Sequence, residues 1–181
     1  IMLVVVLAGQ RANTGVTATA KTEAKISAAA GSAVTIKLES DNAGDAVTIS
    51  FKVGASTDAD GYAAAISSFN AQSSKTGVTA SYDNGGIKLT NSTGTNIKVD
   101  NQAGSDSVTF QNYDAAGGVQ GGAVAAGASS KAIGRVTMDS EQSFSVVDDS
   151  DFALDTKDAG ASSLESVANL DISTFEGAQA A

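Results

Sequence analysis

Chemistry needs side chains that can carry it, and this chain of 181 residues lacks many of the usual ones. It has no Cys and no His. That removes nucleophile–imidazole pairs and Cys/His zinc sites outright. What remains is 20 carboxylates and 11 cations. So many carboxylates always supply pairs, but no spacing among them singles out the two-carboxylate geometry of a glycosidase. Two acidic stretches come closer to a ligand set. Thr57-Asp58-Ala59-Asp60-Gly61 resembles part of a calcium loop but lacks its remaining oxygen ligands, and it reads instead as a helix cap supplied by Asp58 or Asp60. Asp148-Asp149-Ser150-Asp151 reads as a solvated turn rather than a metal site. The segment Gly117–Gly122 has neither the Lys nor the Ser/Thr of a phosphate-binding loop, and no dinucleotide fingerprint opens a helix. No catalytic, cofactor-binding or metal-binding residue is assigned, and the expectation is a protein that is not an enzyme and uses no cofactor.

Composition narrows the partners. The formal net charge is −9, which argues against nucleic acid because phosphate binding needs clustered Lys and Arg. An acidic surface serves solubility. Hydrophobic residues make up 42% of the chain, so it is a folding composition, but aromatics are only 5% and Ala fills much of the rest. The expectation is modest cores in thin layers. With no disulfide framework, a body rich in Thr, Ser, Asn and Gly suits the outside of a bacterium. The same Ser and Thr content fits polar strand faces or attached surface glycans. Ile1 to Ala8 (IMLVVVLA) is the one strongly apolar run. It is too short to span a bilayer as a helix, which takes about 20 residues, and it lacks a basic n-region. It reads as a buried element, with no membrane role. The chain begins at Ile1 and ends at Ala181 without stop-like features, as a piece of a longer protein would.

The elements that position these residues come in repeats. TGVTA stands at Thr14–Ala18 and again at Thr76–Ala80, 62 residues on. IKL at Ile36–Leu38 returns as IKV at Ile97–Val99, and Ala46-Val47-Thr48 as Ser107-Val108-Thr109, both 61 residues on. Three landmarks in one order at a nearly constant offset mark two copies of one supersecondary unit. Ala46 to Val53 alternates Val47, Ile49, Phe51 and Val53 with Thr48, Ser50 and Lys52, the period of a half-buried strand. In Gly61 to Ser73, Tyr62, Ala65, Ile66 and Phe69 fall on one helical stripe, and Gly77 suits the terminating turn. Val78 to Tyr82, Ile87 to Thr90 and Ile97 to Val99 then read as strands, with a hairpin turn at Asp83-Asn84-Gly85-Gly86. Val108 to Phe110 follows. The offset places Ile1 to Asn13 on a helix, although Val4-Val5-Val6 has poor helix propensity. Asp114 to Lys131 shows little periodicity and reads as a connector. Ile133–Met138 and Ser143–Val147 read as a hairpin, Ala161 to Leu170 as one or two helical turns, and Ser173 or Thr174 as the cap of a last helix.

Laid side by side, the copies resemble the IN motif of bacterial flagellins and hook-associated proteins. In that motif, Asn-Ala at a helix end leads through a Thr-Gly-Val-x-Ala corner into strands. The matching residues are Phe69-Asn70-Ala71-Gln72, Thr76-Gly77-Val78-Thr79-Ala80 and Gly94-Thr95-Asn96-Ile97-Lys98-Val99. The first copy keeps Thr14-Gly15-Val16-Thr17-Ala18 but has Leu7-Ala8-Gly9-Gln10 before it. Leu170 to Ala181 (LDISTFEGAQAA) is similar to the point where a flagellin chain returns into its carboxy-terminal helix. The resemblance implies a structural subunit of the extracellular flagellar filament. This part would form surface-exposed outer domains, self-association into a helical filament would be its partnership, and swimming motility its use. A filament-cap or hook-associated protein, or a carbohydrate-binding surface module, is the alternative. The expected fold is α+β: two similar units of short antiparallel strands, each with one packed helix, then a β-hairpin and a C-terminal helical segment. The expected division is 1–56 and 57–113 for the two units, 114–131 for an Ala/Gly-rich connector, and 132–181 for the hairpin and the returning helix.

Overall fold

Alternating apolar and polar residues build most of the strands. The structure, a computed structural model, describes residues 15–114, 117–141, 145–146 and 160–161. These divide into a main unit, residues 19–137, and a smaller unit that includes residues 15–18 and 138–141. In chain order the strands are β1 (Thr17–Ser27), β2 (Ala33–Glu39) and β3 (Val47–Lys52), followed by helix α1 (Ala59–Asn70) and the single turn α2 (Ser73–Thr76). Then come β4 (Val78–Asp83), β5 (Gly86–Asn91), β6 (Ile97–Asn101), β7 (Val108–Tyr113), β8 (Val119–Val124), β9 (Ser129–Ala132) and β10 (Arg135–Asp139). In the smaller unit, β11 (Ser145–Val146) pairs antiparallel with β12 (Gly160–Ala161).

Two antiparallel sheets form the main unit. One runs β4-β5-β1-β7-β8, with β10 added to β1, and the other runs β3-β2-β6-β9. Inward residues of both belong to one apolar cluster: Ile26, Ile87, Leu89 and Phe110 from the first, Ile36, Leu38, Ile49 and Val99 from the second. The sheets therefore pack face to face, each burying one side of its pleat. Helix α1 packs on β3 and β4, the end strands of the two sheets. Its stripe of Tyr62, Ala65 and Phe69 enters the same core, and Phe69 meets Phe51 with ring centroids 5.8 Å apart.

The helix starts where Asp58 Oδ1 accepts the Gly61 N–H at 2.9 Å. The chain turns from α2 into β4 at Gly77, whose φ is 69°. The β4–β5 hairpin closes Asp83 on Gly86 through Asn84 and Gly85, both at positive φ, the geometry that matches strand twist. The two turns of the repeat that follow Asp41-Asn42 and Asp100-Asn101 are braced by the Asn. Asn42 Nδ2 donates to Asp45 O at 2.7 Å, and Asn101 Nδ2 to Asp106 O at 3.0 Å.

The α+β expectation fails. About half of the described residues are strand, with only two helices against two extended sheets. The repeat does yield matching strands, β2 with β6 and β3 with β7, and Gly15 (φ 68°) matches Gly77 (φ 69°). The copies do not fold as two similar units, however. β1 lies between β5 and β7, and β2 lies between β3 and β6, so strands of the two copies interleave. β3 and β7, equivalent in sequence, even enter different sheets. An isolated copy would leave one apolar face of each strand exposed, and sharing both sheets buries those faces at once. The stretch read as a connector carries β8 and β9, recruited by the free edges of β7 and β6. The expected hairpin of 133–138 with 143–147 is replaced by two other pairings, β10 with β1 and β11 with β12. The expected helices at 1–13 and toward Ala181, and the acidic stretch Asp148–Asp151, lie outside the described residues.

Candidate functional site

Two constellations in the main unit join several elements. The first is the corner that carries the repeated motif. β4 is the last strand of its sheet, so alternate residues turn both peptide groups away from β5. Ala80 is one of these. Asn70, at the end of α1, offers it a side-chain amide in place of a neighbouring strand. Asn70 Nδ2 donates to Ala80 O at 2.9 Å, and the Ala80 N–H donates to Asn70 Oδ1 at 2.7 Å. Tyr62, two turns earlier on α1, does the same for the end of β1: its hydroxyl donates to Ala28 O at 2.7 Å and accepts the Ala28 N–H at 3.1 Å. Thr76 Oγ1 donates to Gln72 O and accepts the Val78 N–H.

The corner also binds the first copy's turn. The Asp41 N–H donates to Thr76 O at 3.1 Å, and Lys75 Nζ lies 2.7 Å from Asp45 Oδ2. A Cβ on Gly77 would collide with the Asp41 carboxylate. Asn91 and Thr93 hydrogen-bond Asp41 Oδ1. Burial would raise the Asp41 pKa, but hydrogen bonds from Thr95, Asn91 and Thr93 outweigh it and hold the carboxyl below its usual range. Asn70, Thr76, Gly77 and Ala80 thus all serve one joint, in which Asn70 and Thr76 act through side-chain hydrogen bonds and Gly77 through its φ and its missing Cβ.

The second constellation is a cleft of about 490 Å³ on the outer face of the six-stranded sheet, lined by Glu23, Lys25, Asp83, Lys88, Tyr113 and Arg135 among others. Glu23 is its hub, with a side chain only 9% exposed. Lys21 and Lys88 approach Glu23 Oε1 at 2.8 and 2.7 Å, and Arg135 Nη2 approaches Oε2 at 3.3 Å. Burial would raise the Glu23 pKa; the hydrogen bonds and charges of the two lysines more than offset it, and the carboxyl sits below its ordinary value. Lys88 Nζ also lies 4.7 Å from the centre of the Tyr113 ring, a cation–π contact. The Tyr113 hydroxyl donates to Asp83 Oδ2. Desolvation first, then that carboxylate, push the Tyr113 pKa well up.

Both titrating groups are therefore fixed, Glu23 ionised and Tyr113 protonated, through the neutral range. General acid–base transfer needs the opposite, a pKa brought toward the working pH. The charges lining the cleft balance, Glu23, Asp83 and Asp114 against Lys25, Lys88 and Arg135, and Glu23 gathers cations on strands where Lys25 and Lys88 stand directly opposite each other.

Thr57–Gly61 proves to be the helix cap: Asp58 Oδ1 takes the Gly61 N–H and the Ser56 hydroxyl. Among the described residues, no group of three or more acidic side chains could hold a metal ion. Gly117 and Gly118 line the cleft, and Gly121 and Gly122 lie in β8. The Glu23 hub leaves no local signal in the chain, since outward-facing Glu and Lys on strands become neighbours only through register. Asn70 left a trace, an Asn at a helix end ahead of a Thr-Gly-Val corner.

The chain matches no protein-family model and no curated protein.

Proposed function

We propose that this chain is the outward-facing part of a bacterial flagellin: a structural subunit of the flagellar filament, not an enzyme, whose β surface decorates a self-assembled extracellular helical polymer that serves motility. The observation that supports this is the corner. The residues by which the sequence resembles the flagellin motif are the ones with structural work to do: Asn70 bonds Ala80, Thr76 bonds Gln72 and Val78, and Gly77 takes a left-handed turn against Asp41. The matching corner of the first copy has the same backbone turn at Gly15.

A body of this kind suits a crowded polymer surface. It is strongly acidic, which keeps closely spaced subunits soluble, and its charged cleft is internally neutralised. Electron microscopy of the protein as its gene encodes it, after export, tests the proposal. Tubular filaments are the expected result. A soluble monomer that never polymerises would overturn it.

A further inference from the structure

Among the described residues, five strands of the main unit pair on one side only, β3, β4, β8, β9 and β10, and they are not treated alike. β10, beside β1, carries Arg135 and Asp139. β3 and β4 meet α1, and the outward peptide groups of Ala80 on β4 are bonded by Asn70. β9 is only four residues long. β8 has six residues, and Val119–Ala123 are all exposed. The turn before it fixes which of its groups are open. The Asp114 N–H donates to Gly118 O at 2.8 Å, so that pair faces inward across the ladder. Antiparallel alternation then makes Val119, Gly121 and Ala123 the residues whose N–H and C=O point away from β7.

Edge strands of this kind usually carry a charge, a proline or a cover that prevents pairing with another chain. Residues 117–130 contain no charged side chain and no Pro, in a protein of net charge −9, and among the described residues nothing covers the exposed run Val119–Ala123. Two chains of like net charge repel, and an uncharged strip on an open strand edge lets two copies approach without opposing like charges.

We propose that β8 pairs antiparallel with β8 of a second copy, on a two-fold axis at Gly121. The open groups fix the register. Gly121 faces Gly121 of the partner copy, and Val119 faces Ala123, so every hydrogen-bonding residue meets another whose groups are also open. Glycine at the axis leaves no side chain in the way. The pair is isologous and closes as a dimer. It rests on the geometry of β8 and holds whether or not the chain is a filament subunit.

Charge pairing tests it. Val119→Glu with Ala123→Glu sets like charges opposite each other in this register, and so does Val119→Lys with Ala123→Lys. Sedimentation of the wild-type chain is expected to show a concentration-dependent dimer between about 10 µM and 1 mM. Each double variant alone should be a monomer with an unchanged circular dichroism spectrum, and an equimolar mixture should dimerise again. A wild-type chain monomeric throughout, variants that still dimerise, or folded variants whose mixture stays monomeric would each overturn the pairing. Hydrogen exchange on the wild type gives a readout free of substitutions. The amides of Val119, Gly121 and Ala123 should exchange at least about tenfold more slowly at the upper concentration, and no change there would likewise overturn it.

Discussion

The carboxamide of Asn70 and the peptide of Ala80 form a closed pair of hydrogen bonds, 2.9 Å and 2.7 Å long, that gives the end strand β4 a side chain where it would otherwise need another strand. One residue at the end of the helix thereby protects a sheet edge and ties α1 to the strand that follows the turn at Gly77. Replacing Asn70 by Ala removes both bonds and leaves two partly buried peptide groups unpaired, so unfolding free energy should fall by about 2–3 kcal/mol. Asn70→Asp should cost more, because it loses the donor and sets a carboxylate against a carbonyl oxygen. Urea denaturation of the two variants checks the order.

Gly77 and Gly85 separate two costs of substituting a glycine. Both have positive φ, 69° and 79°. At Gly85 a Cβ meets nothing within 4 Å, whereas at Gly77 it strikes Asp41. Gly85→Ala should lose only the backbone preference, about 1 kcal/mol. Gly77→Ala should lose at least twice that and should loosen the joint between the two sequence copies. Thermal unfolding of both variants decides it, and equal losses would refute the collision.

Glu23 is the one carboxylate that three cations share. Glu23→Gln should leave those cations to repel one another and cost about 1–3 kcal/mol, toward the lower end because Lys21, Lys88 and Arg135 stay partly exposed. The loss should be larger at low ionic strength. A loss independent of salt would mean that packing, not charge, carries the residue.

Acid and alkali should unfold the protein for separate reasons. Glu23, Glu39, Asp41 and Asp58 all have folded pKa values below their ordinary 4.5 or 3.8. Their contribution is complete above those ordinary values and is lost as pH falls through the depressed folded ones. Lys98, raised by its hydrogen bonds to Glu39 and Asp100, and Tyr113 have folded values above 10.5 and 10.0. Their contribution is complete below those values and fades as pH rises through the higher folded ones. Stability measured against pH should therefore be flat across the neutral range, falling below about pH 4 and above about pH 10.

Local features were legible in the sequence because local chemistry determines them. The stripe Tyr62, Ala65, Phe69, the Asp58 cap and the Asn84-Gly85 turn each follow from residues within a few positions. Topology was not legible. Nothing in Ile36 or Ile97 says that β2 and β6 will lie side by side, or that β7 will leave its sequence twin β3 for the other sheet. β8 and β9 escaped because Gly and Ala give no alternation; the open edges of β7 and β6 order them. The Glu23 hub escaped for a related reason, since it joins residues from β1, β5 and β10 that only register brings together.

The most direct test of the proposed role is immunogold electron microscopy of whole cells that make this protein, with antibodies raised against residues 15–141. The expected result is gold along the full length of the flagellar filaments. Gold at the filament tip alone would assign the chain to a cap, and filaments left bare while gold lies elsewhere on the cell would contradict a flagellin.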